Sequence, residues 1–121
     1  MKYLLLVHHS EEHFATFSDA TRQEMLAESV QLTHQLHANG QYVHASPLQP
    51  TSTGILVRVR DGKSFVTDGP FVETREQLAG YFLITAKDRD EAVAVAGRIP
   101  GARIGTVEVR PVREIEGLPG E

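Results

Sequence analysis

Apolar residues occupy consecutive positions from 3 to 7, Tyr3-Leu4-Leu5-Leu6-Val7, ahead of His8, His9 and Ser10. So short an unbroken run fits a strand buried on both faces, in the middle of a sheet. Neighbouring strand residues point to opposite faces, so His8 and His9 do not share one ligand. Residues 11–17 read as a loop or short helical turn with two aromatics, Phe14 and Phe17. From 18 to 39 the period changes to that of a helix. Met25, Ser29, Leu32 and Leu36 fall on one stripe, widened to one side by Leu26 and Val30. Thr21 followed by Glu24 predicts a capping box at the start, and Gly40 the residue just past the end.

Alternation returns in residues 41–47, with Tyr42, His44 and Ser46 set against Val43 and Ala45. Pro47 and Pro50 bracket a break. Ile55, Val57 and Val59 then alternate with Leu56, Arg58 and Arg60, which predicts a half-buried strand. Asp61-Gly62 is a hairpin signal, and residues 63–67 are the return strand. Residues 79–85 are apolar and strand-like. Asp88, with Glu91 three residues on, opens a second helix whose buried stripe is Ala92, Val95, Ala96 and Ile99. Pro100-Gly101 ends it, and residues 105–110 form a last strand with Val107 and Val109 facing in. Residues 1–113 read as one domain, and residues 114–121 as a Gly/Pro-rich tail that frays.

The order is strand, helix, strand, hairpin, strand, helix, strand. Without the hairpin it is βαββαβ, the split βαβ plan, which makes the fold class α+β and ferredoxin-like with an inserted β-hairpin. Two helices cover one face of such a sheet. The other face keeps apolar residues, and a homodimer is the simplest cover for it.

Composition narrows the function classes. In 121 residues, 12 Lys and Arg face 16 Asp and Glu, a net charge of −4. No basic face is on offer, which argues against direct nucleic-acid binding by phosphate neutralisation. Without cysteine there is no disulfide, thiolate metal site or Cys nucleophile. The opening apolar run is too short for a membrane span or signal peptide, so a cytoplasmic protein is the expectation.

The chemistry gathers around Asp68-Gly69-Pro70-Phe71-Val72-Glu73-Thr74, between the hairpin and the next strand. Gly69 permits backbone angles closed to other residues, and Pro70 fixes φ, so the pair reads as a rigid extended corner that Asp68 can cap. An acid–base site is expected on Asp68 or Glu73 with His44 or His9, since a carboxylate beside an imidazole fixes its tautomer and raises its basicity. Phe71 and Tyr81 would wall the ligand pocket, together with Ser46 and His9. The plain alternative is a structural turn with solvated acids. His34 and His37 share a helix face and could bind metal with His44 or His13. The motif lacks an acid partner, so neither metal nor cofactor is assigned. Ser46, Ser10 and Thr74 have no nucleophile elbow or triad spacing around them.

The chain resembles the DGPF-domain branch of the YCII-related family. The resemblance rests on residues 1–6, on Leu48-Gln49-Pro50, and on Val57-Arg58-Val59-Arg60-Asp61-Gly62. It continues through residues 66–81, centred on Asp68-Gly69-Pro70-Phe71, then Arg98-Ile99-Pro100 and residues 107–112. It implies a dimeric α/β barrel of ferredoxin-like subunits. Some relatives in that branch are fused to, or encoded beside, extracytoplasmic-function sigma factors. The broader family is held to be enzymatic through a His-Asp pair, and it includes a dehydrochlorinase of chlorinated hydroxyquinols. By register from Gly40, Ser29 and Ala38 stand where that pair would be, so the pair is not carried over to this chain. Two readings follow, with enzymatic activity left open. One is a small-molecule-binding protein with acid–base chemistry near Asp68; the other is a non-enzymatic accessory of a sigma factor.

Overall fold

Tyr3, Leu5 and Val7 point one way and Leu4 and Leu6 the other, and this alternation organises the sheet. The computed structural model describes residues 1–120. β1 (Lys2–His9) leads through α1 (Glu11–Phe14) into α2 (Asp19–Ala38) and β2 (Tyr42–Pro47). A short 3₁₀ turn, Thr51–Thr53, precedes β3 (Ile55–Arg60) and β4 (Lys63–Asp68). Then come β5 (Gln77–Thr85), α3 (Arg89–Ala96), α4 (Gly101–Ile104) and β6 (Thr106–Pro111). The main sheet has the order β2-β5-β1-β6 with every pair antiparallel, while β3 and β4 pair only with each other. The result is a mixed α+β fold, compatible with the ferredoxin-like βαββαβ plan. No helix among the described residues is long and apolar enough to cross a membrane.

The core lies between the helices and one sheet face. Leu5, Ile84, Leu36 and Ile99 are completely enclosed, with Tyr3, Val7, Phe82, Val95 and Leu32 around them. Burying each such aliphatic side chain stabilises the fold by about 1.5–3 kcal/mol. α2 is pinned at its C-terminal end. Gly40, at φ 72°, donates to His37 O, and Gln41 donates to Leu36 O at 2.8 Å, the paired bonds of a Schellman motif. α4 is tied to α2 by Arg103, whose two terminal nitrogens each reach a Glu28 carboxylate oxygen at 2.8 Å.

Several expectations are corrected. The N-cap of α2 is Ser18, which accepts from Thr21 N–H, so Thr21 sits inside the helix rather than capping it. In β2 the register shifts between Tyr42 and His44, and the bulge turns Tyr42 and Ala45 toward the core on the side of Ile84 and Phe82. The second helix stops at Ala96, and Pro100 starts a further short helix, α4, rather than only ending the earlier one. β3 is not half-buried. Only Leu56 is partly covered, because the β3–β4 ribbon stands off the main sheet. β1 is covered by helices on one face only, with Leu4 and Leu6 half-exposed on the other.

Gly69 is also explained differently. Its φ is not positive. A Cβ there would instead lie 3.0 Å from Gly54 O and 3.3 Å from Thr51 O, and its own N–H donates to Gly54 O at 2.7 Å. The position favours glycine because two backbone segments touch at the base of the ribbon and would have to part slightly for a side chain.

Two stability measurements follow. Leu36→Ala empties a fully enclosed site, and urea titration is expected to show a loss of about 2–5 kcal/mol with unchanged slope. Gly69→Val is expected to lower the melting temperature by overpacking the ribbon base, at a cost of about 1–3 kcal/mol. An unchanged midpoint would show that the base yields freely.

Candidate functional site

α2 meets the sheet closely only where Leu32 and Leu36 are buried. One and two turns earlier the same stripe carries Ser29 and Met25, both only partly covered. The facing residues are small too: Ala45 on β2, Gly80 on β5 and Gly101 at the start of α4. Gly80 is dictated by strand packing, since a Cβ would lie 2.8 Å from Ser46 O. Small residues on both sides leave a cleft of about 290 Å³ between the N-terminal half of α2 and the sheet. Its walls are mainly apolar, including Val7, Leu26, Val30, Phe82 and Ile104. The hydroxyl of Ser29 already donates to Met25 O at 3.0 Å, so this polar group in the wall is satisfied without a ligand.

Three residues bring chemistry to the cleft: His9, Phe14 and Arg22. His9 ends β1 opposite Gln77, and its ring stacks on Phe14 with centroids 4.5 Å apart and planes within 11°. Phe14 is held there by α1, whose N-cap Ser10 accepts from His13 N–H. One terminal nitrogen of Arg22 donates to the carbonyls of Phe14, Ala15 and Phe17, the last at 2.9 Å. The other reaches the Asp19 carboxylate, and the cation lies 6.0 Å from the Phe14 ring centre. Arg22 thereby fastens α1 and the following bend to the first turn of α2.

Burial pushes the pKa of His9 down from its ordinary 6.5, partly countered by the negative charges of Glu11 and Glu76. The imidazole is therefore neutral at pH 7, with a ring nitrogen free to accept a proton. Glu11 is itself engaged: its carboxylate accepts from Thr51 N at 2.8 Å and from Thr51 Oγ1 at 2.7 Å. Its N–H donates to Gln77 Oε1 at 2.8 Å.

Of the residues singled out from sequence, His9, Ser46 and Tyr81 border the cleft, but the side chains of Ser46 and Tyr81 lie on the opposite face of the sheet. Ser46 donates to Pro47 O at 2.9 Å. Tyr81 Oη lies 2.7 Å from Nδ1 of the exposed His44, with the rings stacked at 5.7 Å. Both belong to the sheet face turned away from the helices, together with Leu83 and Leu6, their ladder partners. Asp68 ends β4 opposite Ile55 and is exposed. Phe71 is exposed beside Arg58, whose cation is 5.8 Å from the ring centre. Glu73 lines a separate shallow hollow with Glu12, Arg75 and Glu76. No hydrogen bond or ion pair among the described residues joins Asp68 or Glu73 to a histidine, and the carboxylates that act on His9 are Glu11 and Glu76. His37 packs edge-on to Tyr42 at 6.4 Å, and the described residues contain no cluster of three metal-ligating side chains. Arg22 and Phe14 escaped the sequence reading. The available signal was Ser29, a small polar residue in the apolar stripe of α2.

A two-layer α+β unit with a cleft between helix and sheet defines the class. Within that class the family model of the YCII-related domain matches residues 1–116, and the chain belongs to this family. An uncharacterized protein of Rhizobium meliloti (strain 1021) is 30% identical over 114 residues, covering 93% of this chain and 92% of that protein.

The titration of His9 gives a further prediction. Its folded pKa lies below the unfolded value, so the unfolded chain takes up the proton first as pH falls. The contribution of His9 is complete above about pH 6.5 and is lost as pH drops through its lower folded pKa. Melting temperatures measured between pH 7.5 and 5 should fall less steeply for His9→Gln than for the parent chain. Parallel curves would remove burial as the controlling influence on this ring.

Proposed function

We propose that this YCII-related protein binds a small, largely apolar molecule in the cleft between α2 and the sheet, with neutral His9 accepting a proton from it. The observation that carries the reading is a hollow of about 290 Å³ with mainly apolar walls and one half-buried imidazole. Few polar groups converging on an apolar hollow is the usual form of a small-molecule site. The residues lining the cleft include no carboxylate, and Arg22 is the cation among them. Both features favour a ligand whose polar end is neutral or anionic. Phe14 offers a flat surface and orients the imidazole.

The Asp68-Gly69-Pro70-Phe71 text supports placing the chain in the DGPF branch. In this reading Asp68 shapes the ribbon base rather than performing the proton transfer. The open sheet face, with Leu4, Leu6, Tyr81 and Leu83, favours a second copy as its cover, in the manner of a dimeric α/β barrel.

Binding can be tested by saturation-transfer NMR with a set of one- and two-ring aromatic acids and phenols at neutral pH. Members sized to the cleft are expected to bind the parent chain. Ser29→Phe, which fills the cleft from α2, should weaken them at least about tenfold, or 1.4 kcal/mol. His9→Gln should keep binding and lose its pH dependence between 5 and 7. Equal binding by Ser29→Phe, or no binding by any member, would dispose of the proposal.

A further inference from the structure

The cleft contains a hydroxyl hydrogen that the fold leaves unused. Ser29 donates to Met25 O, Thr33 to Val30 O at 2.6 Å, and Ser46 to Pro47 O. Tyr42, which also lines the cleft, is different. Its phenolic oxygen accepts the Ala45 N–H at 3.2 Å, and its own hydrogen has no acceptor among the described residues. A partly covered phenol in a mainly apolar wall is an open donor for whatever enters. The bond it accepts polarises it and makes the hydroxyl a stronger donor.

An irregularity in the strand aims Tyr42 at the cleft. By simple alternation it would share a face with His44 and Ser46, away from the helices. The register shift between Tyr42 and His44 turns it to the helix side instead. Bulges re-aim side chains in this way beside functional sites. The ring is then held in place. His37, in the last turn of α2, packs edge-on to it at 6.4 Å, and the preceding residue, Gln41, is tied to Leu36 O at 2.8 Å.

The place of the hydroxyl limits what it can meet. It lies beside Ala45, which pairs with Phe82, whereas His9 pairs with Gln77. Five positions of β5 separate these two levels, roughly 17 Å along the strand. The wall between them includes Val7, Leu26, Val30 and Phe82. A molecule that meets both ends must be long, apolar in its middle and polar at each tip. His9 accepts a proton at one tip, so that tip carries an acidic hydrogen. Tyr42 donates at the other, so that tip carries an acceptor.

We propose that Tyr42 sets the specificity of the cleft by donating its hydroxyl hydrogen to a carbonyl-type oxygen of the ligand. The ligand is then an elongated, two-ended molecule, with an acidic hydroxyl at the His9 end and the carbonyl oxygen at the other. This rests on the small-molecule reading of the cleft and adds to it the ligand's length, its direction and its far group.

The test compares two phenols, 4-phenylphenol and 4-acetyl-4′-hydroxybiphenyl, which differ by an acetyl group at the tip far from the hydroxyl. Dissociation constants are measured by NMR titration on the parent chain and on Tyr42→Phe, with circular dichroism to verify folding. The parent chain should bind the acetyl compound about five- to tenfold more tightly, the worth of one hydrogen bond. Tyr42→Phe should bind the two alike. In the parent chain the acetyl methyl group should also give intermolecular nuclear Overhauser effects to the Tyr42 ring, a measurement that needs no variant. Binding of both phenols without preference, a preference that survives Tyr42→Phe, or a preference without that contact overturns the role of Tyr42 and leaves the small-molecule reading standing. Binding of neither overturns the two together.

Discussion

α2 is clamped to the sheet at one end only, and most of the molecule's character follows from that. Leu32 and Leu36 are buried, and the Schellman bonds to His37 O and Leu36 O fix the last turn directly above the start of β2. Two turns earlier the stripe carries Ser29, and the sheet opposite it offers Ala45 and Gly80. Close packing would require large side chains on at least one of these surfaces. Where Ser29 faces Ala45 and Gly80 neither supplies them, so the helix bridges a hollow at that point instead of closing on the sheet. The bidentate Glu28–Arg103 contact matters for the same reason: it holds α4 against the middle of α2, beside the cleft.

Glu11 links the cleft to the ribbon. Its carboxylate anchors Thr51, its backbone N–H anchors to Gln77, and its charge raises the proton affinity of His9 against the effect of burial. One acid therefore sets the position of the ribbon base and moderates the titration of the cleft's imidazole. Any change that frees Glu11 from Thr51 would alter both.

The backbone plan was legible in the sequence because its signals are local. The run 3–7 marks β1, the stripe ending in Leu36 and Gly40 marks α2, and Asp88 with Glu91 marks α3. What escaped depends on contacts between distant segments. The bulge after Tyr42 reverses which β2 residues face inward, and no residue type announces it. The alternation of β3 is real, yet alternation states only that two faces differ, not that one of them is covered. Gly69 drew attention for its conformational freedom, whereas its actual constraint is the nearness of Gly54, fifteen positions earlier. For the site, His9 stands at the cleft, whereas the side chains of Ser46 and Tyr81 belong to the other face of the sheet. Arg22 and Phe14 looked like ordinary residues of a helix start, because the bend that brings them together is set by carbonyl groups rather than by a side-chain motif.

The two surfaces that this chain leaves open differ in shape and polarity. A cleft between helix and sheet is concave, and its polar groups are few: an imidazole kept neutral by burial, and an arginine tied to backbone carbonyls. Such a surface suits a small ligand, because a large partner could not enter it. The ribbon is convex, apolar on one face and cationic toward its turn, and fixed at its root. Such a surface suits a macromolecule, because a small ligand would find no enclosure there. Glu11 stands between the two and contacts the framework of both, through its bonds to Thr51 and its charge beside His9.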